Sequence, residues 1–185
     1  MSEYENLRTA DIVAEALIDW NVNVIFGLPG DGINGFIEAL RRRQDKIKFI
    51  LVRHEESAAF MACAYAKYTG KLGVCVATSG PGAIHLLNGL YDAKSDNTPV
   101  IAIMGSTYSD MTGSGYQQDV NLPQLFSHVA AYNNMINGQE QAEMTVDIAC
   151  SSALSQRGVG HLRIPIDVQE RKLEGNYSAL SRLYG

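Results

Sequence analysis

Phe49-Ile-Leu-Val-Arg-His-Glu-Glu-Ser-Ala-Ala-Phe-Met-Ala62 is the stretch on which the reading of this chain turns. The apolar run from Phe49 to Val52 reads as a buried strand. It stops at Arg53-His54, and a helix-forming segment starts almost at once with Glu55 and Glu56. That spacing puts two carboxylates at the carboxyl end of a strand and in the first turn of a helix, the edge where open α/β sheets bind ligands. A helix N-terminus favours a carboxylate. Ala58, Ala59, Phe60 and Met61 follow immediately and are expected to keep water away. A glutamate so placed either starts the helix or serves as a tuned acid or base, and the rest of the chain has to decide.

Strands and helices alternate on both sides of this stretch. Ile12, Val13, Ala16, Leu17 and Trp20 recur at helical spacing behind Thr9, an expected N-cap. Val22 to Phe26 is a short strand, and Gly27-Leu-Pro-Gly-Asp-Gly32 is a glycine-rich turn into a helix carrying Ile33, Phe36, Ile37 and Leu40. The helix after Glu55 ends near Gly70. Leu72 to Ala77 and Pro99 to Met104 are nearly continuous apolar strands, separated by Thr78-Ser-Gly-Pro-Gly82 and a helix from Ala83 to about Ala93. After a polar loop from Gly105 to Gly115, a short helix over 122–126, a strand over 129–136, a helix from Gln139 and a last strand over 160–165 complete the pattern. Apolar strands alternating with amphipathic helices predict a doubly wound α/β fold, a mostly parallel sheet of about six strands with helices on both faces. The domain is expected over 1–168, with 169–185 as a linker or exit segment toward a further domain.

Composition narrows the function. The chain has 185 residues, 46% hydrophobic and 19% charged, which suits one soluble globular domain. A net charge of −5 gives no electrostatic reason to expect nucleic acid. The one basic run, Arg41-Arg42-Arg43, is expected to complement a helix C-terminus. No segment reaches the ~20 apolar residues of a membrane span. Cys63, Cys75 and Cys150 are scattered through apolar segments and are expected to be buried, reduced thiols of a cytoplasmic protein.

Several local patterns compete. Gly30-Asp-Gly32-Ile-Asn-Gly35 has the form of a dinucleotide fingerprint, but Gly27-Leu-Pro29 separates its first glycine from the strand, and a tight loop is the plainer reading. Thr78 to Gly82 offers hydroxyls and glycines to a polar ring or an anion, or is a simple strand–helix turn. Ser79 is in no nucleophile elbow. His54 stands at the edge of the expected site, and His85 lies within a helix. His128 and His161 read as structural, and no spacing pairs histidines or cysteines as metal ligands.

Gly27-Leu-Pro-Gly30, Arg53-His-Glu-Glu-Ser-Ala-Ala59, Thr78-Ser-Gly-Pro-Gly-Ala83, Asn88-Gly-Leu-Tyr-Asp-Ala93 and Thr98-Pro-Val-Ile-Ala-Ile-Met-Gly105 stand in order at natural spacing. Together they resemble the N-terminal pyrimidine-binding domain of thiamine-diphosphate enzymes of the pyruvate oxidase and acetolactate synthase group. The resemblance covers roughly Leu7 to Val168 and implies the thiamine-diphosphate-binding fold. It implies that Glu55 hydrogen-bonds the N1′ atom of the cofactor's aminopyrimidine and thereby activates the cofactor toward pyruvate or a similar 2-oxo acid. That role requires a proton on Glu55, and apolar neighbours favour the neutral form of a carboxyl. Glu56 is then a helix-start residue. The resemblance further sets Thr78, Ser79, Gly80, Pro81 and Gly82 beside the pyrimidine, Gly27, Pro29 and Gly30 near the facing cofactor, and Tyr116, Gln117 and His85 on the substrate side.

The same resemblance implies what this stretch of chain lacks. Family members hold the diphosphate and Mg2+ on a separate domain carrying Gly-Asp-Gly and Asn-Asn, and some carry FAD on a third. Gly30-Asp-Gly32 stands in the wrong domain for that role, and Asn133-Asn134 follows far downstream, so the two are not read as a metal site. The expected partners are a diphosphate-binding domain or subunit and a second protomer, in a homodimer or tetramer. The alternatives are the small subunit of a two-chain 2-oxo-acid decarboxylase and a non-catalytic binding or assembly module.

Overall fold

The computed structural model describes residues 7–173. Along the chain stand α1 (Thr9–Asp19), β1 (Val24–Gly27), a 3-10 turn (Asp31–Ile33), α2 (Asn34–Arg41), β2 (Lys48–Leu51), α3 (Glu55–Thr69) and β3 (Gly73–Ala77). Then come α4 (Pro81–His85), α5 (Leu87–Ser95), β4 (Val100–Ser106), α6 (Leu122–Phe126), β5 (Ala130–Met135), α7 (Gln139–Gln156), β6 (Val159–Pro165) and α8 (Ile166–Glu170). Six strands form one sheet in the order β2-β1-β3-β4-β6-β5. Every neighbouring pair is parallel, as the alternating pattern predicts.

Period-two alternation within the buried strands divides the interior into two layers. Val74, Val76, Ile101 and Ile103 face α1, α2 and α7, where Leu17, Phe36 and Val146 meet them. Cys75, Ala77, Ala102 and Met104 face the other way, toward Ala58, Ala59 and Ala62 of α3 and Leu90 of α5. Small residues dominate this second layer, and backbones approach closely there. A Cβ on Gly73 would fall 2.0 Å from the Ala62 carbonyl oxygen, and one on Gly89 would fall 2.6 Å from the Phe60 nitrogen. The three cysteines are free and buried. Burial pushes the thiols of Cys75 and Cys150 up to about 12, so they pack as inert side chains.

Three expectations need correction. The run from Phe49 is not a buried strand but the sheet edge: Leu51 is 66% exposed, because β2 has a neighbour on one side only. Thr9 is the first helical residue rather than the cap, and the Arg8 backbone N–H donates to Asp11 Oδ2 at 2.8 Å instead. The helix expected from Ala83 starts at Pro81, whose fixed φ suits a first helical position, and is interrupted at Leu86. α8 continues through Glu170, and in it buried Gln169 donates to the carbonyl oxygens of Gly32 and Ile164 and accepts from Phe36 N. Residues 174–185, most of the expected exit segment, lie outside the described residues.

His161 is fully buried in β6, with its ring stacked on Phe126 at 4.3 Å and its Nδ1 2.8 Å from Asn133 Oδ1. Because Asn133 Oδ1 is an acceptor, Nδ1 carries the proton. Burial drives the imidazole pKa down to about 3, with Arg163 adding to the effect. Below pH ~6.5 the unfolded chain binds a proton that the folded chain refuses. Stability is therefore expected to fall by up to ~1.4 kcal/mol per pH unit between about 6.5 and 3 from this residue alone. Urea midpoints across that window check it: His161→Gln, uncharged throughout, should fall less steeply, and parallel curves for the two proteins would refute it.

Candidate functional site

The crevice follows from the strand order. β1 has β2 on one side and β3 on the other, so the chain reverses its winding between β1 and β3, and their carboxyl ends open a gap between successive connections. Two turns line it. In the first, the Gly32 N–H donates to Thr78 Oγ1 at 3.0 Å and to Asp31 Oδ1 at 2.9 Å, which fastens it to the second. Glycine allows this closeness: a Cβ on Gly30 would fall 2.6 Å from Thr78 Cβ, and one on Gly32 would fall 2.4 Å from Ser79 Oγ. In the second turn, Gly80 has φ 60°, a conformation that suits glycine, and Pro81 opens α4. Ser79 Oγ donates to Gln118 Oε1 at 2.7 Å.

Glu55 enters this crevice from the start of α3. His54 is the N-cap, and its Nδ1 accepts from the Glu56 N–H at 3.3 Å. That register turns the two carboxylates apart. Glu55 is only 7% exposed. Its Oε2 lies 2.9 Å from His85 Nδ1, and its Oε1 lies 3.1 Å from where a Cβ on Gly82 would stand. Glu56 stays at the surface and accepts from Asn88 Nδ2. The apolar wall expected behind Glu55 is only half present: Ala58 and Ala59 are fully buried, but Phe60 is 42% exposed and Met61 is exposed beside it.

The remaining predicted residues divide. Gly27 is buried at the end of β1, where a Cβ would fall 2.6 Å from the Val76 carbonyl oxygen, so its place there is a packing contact. Pro29 is exposed on the first turn. Tyr116 and Gln117 are exposed on the loop after β4, while the neighbouring Gln118, with φ 63°, is the residue brought to Ser79. His85, expected on the substrate side, turns its Nδ1 to Glu55 and stacks on His54 with centroids 4.5 Å apart and planes at 29°.

The competing patterns are resolved by contact. Gly30, Gly32 and Gly35 serve packing, since a Cβ on Gly35 would meet Gln169 of α8 at 2.8 Å. Asn133 and Asn134 lie on β5, with three strands between it and β1, and Asn133 donates to the Pro123 carbonyl oxygen, so the pair does not meet Asp31. Ligand atoms of His54, Glu55 and His85 lie within 4.8 Å of one another. Among the described residues, no helix is long and apolar enough to cross a membrane.

Residues 7–125 match the family described as thiamine pyrophosphate enzyme, N-terminal TPP binding domain. A putative thiamine pyrophosphate-containing protein, YdaP, of Bacillus subtilis is 45% identical over 162 residues, covering 88% of this chain and 28% of that protein. Pyruvate oxidase of Lactiplantibacillus plantarum is 37% identical over 163 residues, covering 88% and 27%. The acetolactate synthase large subunit of Corynebacterium glutamicum is 32% identical over 171 residues, covering 92% and 27%. The chain thus spans little more than a quarter of the length of these three relatives.

Proposed function

We propose a function from the premise that this chain belongs to the thiamine pyrophosphate enzymes, as their N-terminal TPP binding domain. It holds the aminopyrimidine ring of thiamine diphosphate in the crevice between β1 and β3. The observation that carries this reading is Glu55, a buried carboxyl at the switch point whose Oε1 looks onto the side-chain-free edge of Gly82. A flat heteroaromatic ring needs such an arrangement: one acid to meet a ring nitrogen and a surface without side chains to lie against.

Each residue then has a task. Glu55 holds a proton at Oε1 and hydrogen-bonds the ring nitrogen. Thr78, Ser79 and the Gly80–Gly82 backbone line the ring, with Gly30 and Pro29 on the facing turn. Tyr116 and Gln117 sit on the substrate side. When bound, the cofactor supplies an electron sink for carbanion chemistry at the carbonyl carbon of a 2-oxo acid. Pyruvate or a related acid is the proposed substrate, in keeping with the relatives named pyruvate oxidase and acetolactate synthase.

The site is half built. A second domain or subunit is proposed to supply the diphosphate and Mg2+ contacts, a further one FAD where the chemistry is oxidative, and the complete enzyme is proposed to be a homodimer or tetramer. Leu51, Phe60 and Ile84, exposed apolar residues near the site in sequence, suit such a covering surface. Free, buried thiols suit the cytoplasm.

Reconstitution tests the proposal. The chain is mixed with a diphosphate-binding domain of the family, thiamine diphosphate and Mg2+, and CO2 release from pyruvate is followed. Release is expected from the mixture and from neither part alone. An intact, assembled complex without turnover would instead favour a non-catalytic module.

A further inference from the structure

We infer that His85 is a positioning residue that decides which oxygen of Glu55 carries the acid proton. This rests on the reading of Glu55 above only for its consequence in catalysis. The two oxygens of the carboxyl have different surroundings: Oε2 lies 2.9 Å from His85 Nδ1, and Oε1 stands over Gly82. A protonated carboxyl has one hydroxyl to donate and one carbonyl oxygen to accept. If Nδ1 were bare, the acid proton would be spent on His85, and nothing would be left to give at Oε1. With the proton on Nδ1, the imidazole donates to Oε2 and the acid proton is left at Oε1, facing the crevice.

The surroundings suit this tautomer. The His85 side chain is 43% exposed, so its Nε2 lone pair is open to water. His54 lies against the ring at 4.5 Å and fixes its plane. A stack that close is made best by rings that do not both carry charge. The titratable and charged groups around the pair are His54, Glu56, whose Oε2 is 3.9 Å from His54 Nδ1, Arg53 next to it in the chain, and Asp31 across Thr78.

Nuclear magnetic resonance on the 185-residue chain tests the pair without any cofactor. A long-range 1H–15N spectrum near neutral pH is expected to show His85 protonated at Nδ1 and bare at Nε2. The Glu55 side-chain carboxyl 13C signal, assigned by its loss in Glu55→Gln, is expected to move in His85→Leu, which removes the Nδ1 donor. His85→Asn, which keeps a donor in place of Nδ1, should leave that signal near its wild-type position. A His85 protonated at Nε2 alone, or a Glu55 signal unmoved in His85→Leu, overturns the inference whether or not the domain takes thiamine diphosphate. In the completed enzyme, His85→Asn is expected to recover most of the turnover that a side chain without a donor loses. His85→Leu is expected to lower kcat roughly tenfold, about the value of one hydrogen bond, with KM little changed. Equal losses in the two variants would also overturn it.

Discussion

Glu55→Gln is expected to lower CO2 release by the completed enzyme about 10²–10⁴-fold, the usual loss when an acid–base group is removed. The amide has nearly the volume of the carboxyl, so the fold should stay intact. Its oxygen can still accept from His85 Nδ1, and its nitrogen can still reach the crevice. What it lacks is an exchangeable acid proton at the position of Oε1. The loss should therefore fall on kcat and on exchange of the cofactor's C2 proton, with cofactor binding much less affected. Glu56→Gln is the matched control: its carboxylate is at the surface and bonded to Asn88, so turnover should stay near wild type. Normal turnover by Glu55→Gln would remove the acid role altogether.

The largest stability effect is expected at Arg43. Arg43→Ala should lower the unfolding free energy by about 3–5 kcal/mol, the cost of breaking a buried ion pair by removing one partner. The guanidinium meets Asp11 Oδ1 at 2.6 Å, Glu15 Oε1 at 2.7 Å and the Ala39 carbonyl oxygen at 3.0 Å. Burial opposes its charge, but the hydrogen bonds to Asp11 and Glu15 outweigh it and hold the pKa above its ordinary value. Asp11 decides the magnitude. It is 2% exposed, and without Arg43 its carboxylate keeps the Arg8 N–H and a contact with Arg42 at 3.9 Å. Glu15 is nearly half exposed, so Glu15→Gln should cost under about 1 kcal/mol. Urea unfolding of the two variants separates the contributions. A loss in Arg43→Ala no larger than in Glu15→Gln would show that the pair is not what ties α2 to α1.

Arg43 also marks where the sequence stops being sufficient. Arg41-Arg42-Arg43 reads as a cluster complementing a helix end, and Arg41 and Arg42 do pair with Glu38 on their own helix. Arg43 turns inward to a helix that precedes it by about thirty residues, and no local periodicity reports that. The same limit governs the edge strand. Phe49-Ile-Leu-Val52 is as apolar as Val100 to Met104, yet the first run borders solvent and the second is fully buried. Composition of a strand fixes its pairing tendency, while its place in the order 2-1-3-4-6-5 fixes its burial.

The site divides in the same way. That a carboxylate stands at a strand end and begins a helix was legible from residues 49–62 alone, because strand and helix periods are set by short-range sterics. So were the parallel sheet, the glycine turns and the family resemblance, which five ordered motifs carried. Which glutamate turns inward needed the helix register that the His54 cap sets. The partner of Glu55 needed α4 brought against α3, thirty residues further along the chain, and the meeting of Gln118 with Ser79 needed the positive φ that carries it there. Sequence determined the elements and the chemistry available at their ends. Only the tertiary structure decided which of those groups meet, because such contacts depend on strand order and helix packing over distances that local propensity does not span.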